Sequence, residues 1–207
     1  MNRVITIGRE FGSGGREIGV RLANELGIAY YDKEIITGIV NHTEFTENYV
    51  KEVVEGDFTK IIPISIGRSL DGDVDFQIQQ MQSIVKAQTE VIKEMAMKSD
   101  CVIVGRCADY ILEEAGEKGD IQLFKLFIHA SMESRVKRCM ERRTEAEANV
   151  TEKDMEKQIK RVDKDRANYY TNYTLRKWGD KSNYDICFNT TNMDLKIMVP
   201  HIATLFC

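Results

Sequence analysis

The chain has 207 residues, 43% of them hydrophobic and 30% charged, a balance that suits one folded domain with its own core and excludes a disordered or fibrous protein. Its net charge of −4 excludes a general nucleic-acid coat, which needs basic residues in excess on one face. No run approaches the roughly 20 apolar residues of a membrane span, so the expectation is a cytoplasmic protein that binds small molecules rather than nucleic acid or membrane; nothing in the pattern sets an oligomeric state.

Val4 to Ile7 form a short β-branched run that stops at Gly8, which predicts a buried strand. After a glycine-rich turn, Ile18, Leu22 and Leu26 recur every four residues and Gly27 follows, the spacing of a helix with its terminator. Residues 28–32 predict a second strand and 33–40 a second helix; this alternation implies a parallel sheet with right-handed crossovers. From about 42 to 75 mixed charge, Gly, Pro and Asp-Gly suggest a mobile insertion rather than a core layer. An amphipathic helix follows, carrying Ile78, Met81, Val85, Val91, Ile92 and Met95 near one stripe. Residues 101–104 and 123–130 predict two more strands. Ser131 is placed to cap a helix over 132–143, and Thr151 with Asp154 resembles a capping box opening a long helix to about 172. A fifth strand at 184–189 and a closing helix with Leu195, Met198 and Leu205 complete the chain. The expected fold is therefore α/β, a single domain over 1–207: a three-layer α/β/α sandwich around a parallel five-stranded sheet. The five cysteines, Cys101, Cys107, Cys139, Cys187 and Cys207, show neither pairing nor metal-ligand spacing and read as small hydrophobes in a reducing compartment. No metal-ligand set can be assigned.

The segment ITIGREFGSGGREIG (5–19) places Gly12, Ser13, Gly14 and Gly15 between strand and helix. Glycines there let main-chain N–H groups converge on an anion while the helix N-terminus adds partial positive charge; a tight turn without ligand is the plainer alternative. A dinucleotide reading fails, because Glu17 stands where a third glycine is needed. The P-loop pattern GxxxxGK[ST] is met in part. In one register Gly15 stands where lysine is expected; in the other Arg16 supplies a cation, with Glu17 near the Ser/Thr position.

Other basic residues admit two readings. Arg135, Arg138, Arg142 and Arg143 share a helical face, which suits either a phosphate-gripping surface or a solvated face balanced by Glu133, Glu141 and Glu145. Arg106 directly follows a buried strand, at the edge where open α/β sheets bind ligands. Arg161 and Asp165 sit one helical turn apart, as a ligand-binding pair or an intrahelical ion pair. Asp32 ends the second strand, as an acceptor or magnesium contact or as a helix N-cap.

With these stretches the sequence resembles the cytidylate kinase-like family of nucleoside monophosphate kinases, of the P-loop hydrolase and kinase type. The matching segments are ITIGREFGSGGREIG, AYYDKEII (29–36), CVIVGRCADYIL (101–112), SRVKRCMERR (134–143), IKRVDKDRANYY (159–170) and NYDICFNT (183–190). The resemblance implies ATP as donor with Mg2+, and CMP or dCMP as acceptor. It implies donor phosphates at Gly12, Ser13, Gly14, Gly15, Arg16 and Glu17, and acceptor contacts at Asp32, Arg106, Asp109, Arg161 and Asp165. Arg16, Arg138, Arg142 and Arg143 would serve the transferring phosphoryl group, with a lid over about 142–152 and the 42–75 insertion covering the acceptor. The chain departs from the pattern in three places: no P-loop lysine, Cys107 in place of the Asp of a Gly-Arg-Asp motif, and Asn168 near the place of a later arginine. These departures leave two alternatives, a nucleotide-binding regulator that has lost catalysis and a kinase of another small acceptor.

Overall fold

The computed structural model describes residues 1–55, 71–145 and 148–206. Five strands form one parallel sheet: β1 (Asn2–Arg9), β2 (Ala29–Tyr31), β3 (Cys101–Val104), β4 (Ile121–His129) and β5 (Ile186–Asn189), in the order β2-β3-β1-β4-β5. Register runs Val4 to Cys101 and Ile7 to Val104 on one side of β1, and Asn2 to Ile121 through Arg9 to Ile128 on the other. The sequence expectation of a five-stranded parallel sheet between helical layers holds.

The strands read as continuous apolar runs because both faces are covered. Along β3 the side chains alternate: Cys101 and Ile103 enter one core, Val102 and Val104 the other. On one face lie α1 (Gly15–Leu26) and α9 (Leu195–Ala203), whose Ile18, Leu22, Leu195 and Val199 pack on Ile5, Ile7, Leu126 and Ile128. On the other lie α2 (Lys33–Asn41), α3 (Glu47–Glu55), α4 (Asp71–Lys98), the short α5 (Ala108–Ile111) and α6 (Glu113–Glu117), and part of the long α8 (Glu152–Thr174). Helix α7 (Met132–Glu141) follows β4.

Both predicted caps form. Ser131 Oγ accepts from the Ser134 amide at 3.3 Å, opening α7, and Thr151 Oγ1 accepts from the Asp154 amide at 3.2 Å, opening α8. On α4, Met81, Val91 and Ile92 are buried as the periodicity predicts, and Ile84 and Ala96 complete the stripe.

One expectation changes. Part of the segment read as a mobile insertion is helix α3, and its Val50, Val53 and Val54 are buried in the core. Their i, i+3, i+4 spacing is helical, but Glu and Lys neighbours dilute it over only nine residues. Residues 71–75 of that insertion open α4; residues 56–70, residues 146 and 147 of the expected lid, and Cys207 lie outside the described residues.

Candidate functional site

Because all strands run the same way, their carboxyl ends share one edge of the sheet, where open α/β sheets bind ligands. Arg9, Asp32, Arg106, Ser131 and Thr190 all stand there, brought together from across the chain.

The glycine-rich turn after β1 leads into α1. Gly12 and Gly14 adopt φ of 77° and 87°, the left-handed region where a side chain is strained. A Cβ on Gly14 would also come within 2.5 Å of Leu195 Cδ1. The turn is braced from outside: Arg138 Nη1 donates to the Gly12 carbonyl at 2.8 Å, and Thr190 Oγ1 donates to the Ser13 carbonyl at 2.7 Å. With those carbonyls held outward, the amides at the start of α1 remain for an anion.

Two cavities adjoin at this edge. The larger, about 600 Å³, opens over Gly12, Gly14, Gly15, Arg16 and Glu17 and is bordered by Asp32, Arg138, Arg142 and Arg143. The smaller, about 300 Å³, is bordered by Tyr169, Tyr170, Trp178 and Tyr184 together with Asp109 and Asp165. Arg9, Phe11, Glu55, Arg106 and Arg166 border both. Three guanidinium groups thus stand where the two spaces meet, and the sizes of those spaces fall in the ordinary range for small-molecule sites.

Each guanidinium there is placed by specific contacts. Arg106 follows Gly105, and Gly105, Arg106 and Cys107 take φ of 75°, 59° and 53° in succession. For the two residues with side chains this is strained backbone, kept where surrounding contacts over-determine it. The contact is visible: Gln88 Nε2 donates to the Arg106 carbonyl at 3.1 Å, and Tyr169 Oη donates to Gln88 Oε1 at 3.0 Å. The Arg106 side chain is 7% exposed, pairs with Glu55, and donates from Nη1 to the Val54 carbonyl at 3.2 Å. Its Nε is buried without a partner among the described residues. Arg166 donates to the Arg9 carbonyl at 3.1 Å and lies over the Phe11 ring, and burial lowers its pKa. Burial would raise the Glu55 carboxyl, but Arg106, then Arg9 and Arg166, outweigh it and hold it below the ordinary value.

In the smaller cavity Tyr170 Oη donates to Asp109 Oδ2 at 2.7 Å, and burial pushes the Asp109 carboxyl above its ordinary value. Trp178 meets Phe127 edge to face at 5.4 Å between ring centres, and so packs against β4 while one side borders the cavity.

The predicted residues divide accordingly. Gly12, Gly14, Gly15, Arg16, Glu17, Asp32, Arg138, Arg142 and Arg143 gather round the larger cavity, Asp109 and Asp165 at the smaller, and Arg106 between them. Ser13 contributes only main chain, since its buried hydroxyl donates to the Glu10 carbonyl at 2.8 Å. Asp32 makes no side-chain cap to α2; it pairs instead with Arg16 at 2.8 Å, Arg16 being 59% exposed. Glu17 is held by Arg21 at 2.7 Å and by Arg142. Arg135, buried, pairs with Asp163, which also accepts from the Phe11 amide at 2.7 Å; this arginine ties α8 to the loop rather than facing a ligand. Arg161 is exposed on α8 and borders neither cavity. Five residues further on, Arg166 turns inward and borders both cavities. Arg9 and Arg166 escaped the sequence reading. Arg9 ends a buried strand much as Arg106 follows one, and that placement is the signal that marks it; Arg166, a lone arginine on a charged helix, carries no periodic signal.

A magnesium ion would arrive on the nucleotide, taking oxygen ligands chiefly from phosphates and water. Asp32 and Glu17 are the carboxylates on the α1 side of the larger cavity that could meet it; no group of three potential metal ligands occurs among the described residues.

A family model described as the cytidylate kinase-like family matches residues 4–192. Among solved structures, an uncharacterized protein from Eubacterium ventriosum is similar at 28% identity and a TM-score of 0.68, with 99% of this chain and 98% of that one covered. A shikimate kinase from Bacteroides thetaiotaomicron shares the fold at 14% identity and a TM-score of 0.52, with the same coverage of each chain. No curated protein matches the sequence. No helix of the described residues is long and apolar enough to cross a membrane.

Proposed function

Since the chain belongs to the cytidylate kinase-like family, and is therefore a kinase-type nucleotide-binding protein, we propose that it transfers the γ-phosphoryl group of Mg·ATP to a nucleoside monophosphate, CMP or dCMP. The observation that carries this reading is the trio of arginines, Arg9, Arg106 and Arg166, that borders both cavities. The donor lies over the glycine-rich turn, its phosphates on the first amides of α1. The acceptor base lies among Tyr169, Tyr170, Trp178 and Tyr184, and its phosphate meets Arg106 and Arg166. The four described cysteines are unpaired, which accords with a cytosolic enzyme.

Phosphoryl transfer asks the protein for alignment, exclusion of water and positive charge spread round the moving group, with little covalent help. Arg106 and Arg166 supply charge from two different elements, and each planar fork grips two phosphate oxygens. Magnesium, when bound with ATP, neutralises charge between the β- and γ-phosphates. Arg142 and Arg143, just past the end of α7, border the larger cavity and would add positive charge beside the donor phosphates.

A second reading, a regulator that binds nucleotide without turnover, draws on the internal pairing of Arg106 with Glu55, Arg16 with Asp32 and Arg142 with Glu17. A kinase of another small acceptor is the third. ADP release from Mg·ATP against a panel of nucleoside monophosphates and small alcohols separates them. The expected result is release dependent on CMP or dCMP, with kcat/KM reduced about tenfold or more in Arg106→Ala, as loss of a charged hydrogen bond requires. Release with no acceptor of the panel, despite measurable nucleotide binding, would establish the regulator instead.

A further inference from the structure

Arg9 is the last residue of β1 and precedes the glycine-rich turn. Gly15 holds the place of a P-loop lysine in one register, and a Cβ built on it would lie 2.5 Å from Arg9 Cβ and 3.1 Å from Arg9 Cγ. The stem of Arg9 fills the space through which a lysine at that position would leave the backbone. The guanidinium then runs over Gly105, where an added Cβ would come within 1.7 Å of Nη1. Two bare glycines thus flank one long cationic side chain, and that side chain borders both cavities.

No hydrogen bond or ion pair engages the Arg9 guanidinium among the described residues. Burial, with repulsion from Arg166 and Arg106, outweighs the attraction of Asp32 and Tyr30 and pushes it down to about 9. An arginine with a structural task would be paired, as Arg135 is with Asp163. A half-buried guanidinium with carboxylates near it but none in direct contact keeps part of its desolvation cost, and an arriving anion removes that cost.

We propose that Arg9, reaching past the bare Gly15, takes the place of the missing P-loop lysine and grips the β- and γ-phosphates of the donor nucleotide. The ligand class rests on the phosphotransferase reading above; the geometry of Arg9 and Gly15 does not. Arg16, exposed and paired with Asp32, then has the lesser part in phosphate binding.

A lysine exchange tests this in the full-length chain by calorimetry with Mg·ATP and with inorganic tripolyphosphate. Arg9→Gln, which keeps most of the stem, is expected to weaken both probes about tenfold or more, and Arg16→Ala by less than about threefold. Gly15→Lys alone is expected to bind poorly, since its Cβ collides with Arg9. The double variant Arg9→Gly/Gly15→Lys removes that collision, leaves Ile128 Cβ at 3.3 Å to yield by a few tenths of an ångström, and is expected to bind at least about tenfold tighter than Arg9→Gly. The double variant decides the matter even where Arg9→Gln melts early, because a lysine at 15 cannot restore the lost stem. The proposal is overturned if Arg9→Gln binds within about twofold of wild type, if the double variant binds no better than Arg9→Gly, or if wild type binds neither probe. Turnover is read separately: Arg9-dependent tripolyphosphate binding without ADP release under any acceptor sinks the proposed activity and leaves the Arg9 assignment standing. Turnover unaffected by Arg9→Gln does the reverse.

Discussion

Glu55 is the residue whose removal says most about the place where the cavities meet. Its carboxylate sits among Arg106, Arg9 and Arg166, where an acceptor phosphate is expected to bind, and it pairs with Arg106. An internal carboxylate in that position competes with the incoming phosphate. Glu55→Gln is therefore expected to lower the KM for the acceptor severalfold while leaving that for ATP nearly unchanged; an unaltered or raised acceptor KM would show that Glu55 does not compete. The same contact fixes the sign of a pH effect on stability. A carboxyl whose folded pKa is depressed contributes stability that is complete above its ordinary value and is lost as pH falls through the depressed one. Wild type is thus expected to exceed Glu55→Gln in stability at neutral pH, and the gap, read by denaturant unfolding, is expected to close on acidification.

The glycine-rich turn and α1 act as one element, and their shape depends on atoms far away in sequence. Gly14→Ala would set a Cβ 2.5 Å from Leu195 Cδ1 at a φ of 87°. The strained backbone and the crowding together are expected to lower stability by about 1–3 kcal/mol, measured by urea unfolding, and to weaken Mg·ATP binding; a variant as stable as wild type would mean that the turn and α9 are less tightly joined than the structure shows. Elements of this kind explain what was legible in the sequence. Val4–Ile7 and Cys101–Val104 announced themselves as strands because a strand buried on both faces is apolar throughout, and Ser131 and Thr151 marked helix starts through local hydrogen bonds. Helix α3 stayed hidden because its apolar side is three valines among charged residues. At the site, Gly12 to Gly15 and Arg106 stood out by local context. The choice of Arg166 over Arg161, and the passage of Arg9 across Gly15, depend on how α8 and β3 pack, which no local pattern carries.

At the scale of the whole molecule, the parallel sheet turns separate stretches into one edge. Arg9 after β1, Arg106 after β3 and Arg166 from α8 meet there, with the proposed donor space on the α1 side and the proposed acceptor space, lined by aromatic residues, on the other. Phe11, between the two, is held by Asp163 through its amide and by Arg166 over its ring. On this reading the two spaces are halves of one active site. A single molecule that spans them tests it directly: adenosine and cytidine joined 5′ to 5′ through five phosphates, titrated into the full chain by calorimetry with magnesium. Linking converts the second contact into an intramolecular one, so one molecule is expected to bind per chain, roughly a hundredfold tighter than Mg·ATP or CMP alone, with the advantage lost in Arg106→Ala. Binding no tighter than that of Mg·ATP, or unaffected by Arg106→Ala, would contradict it.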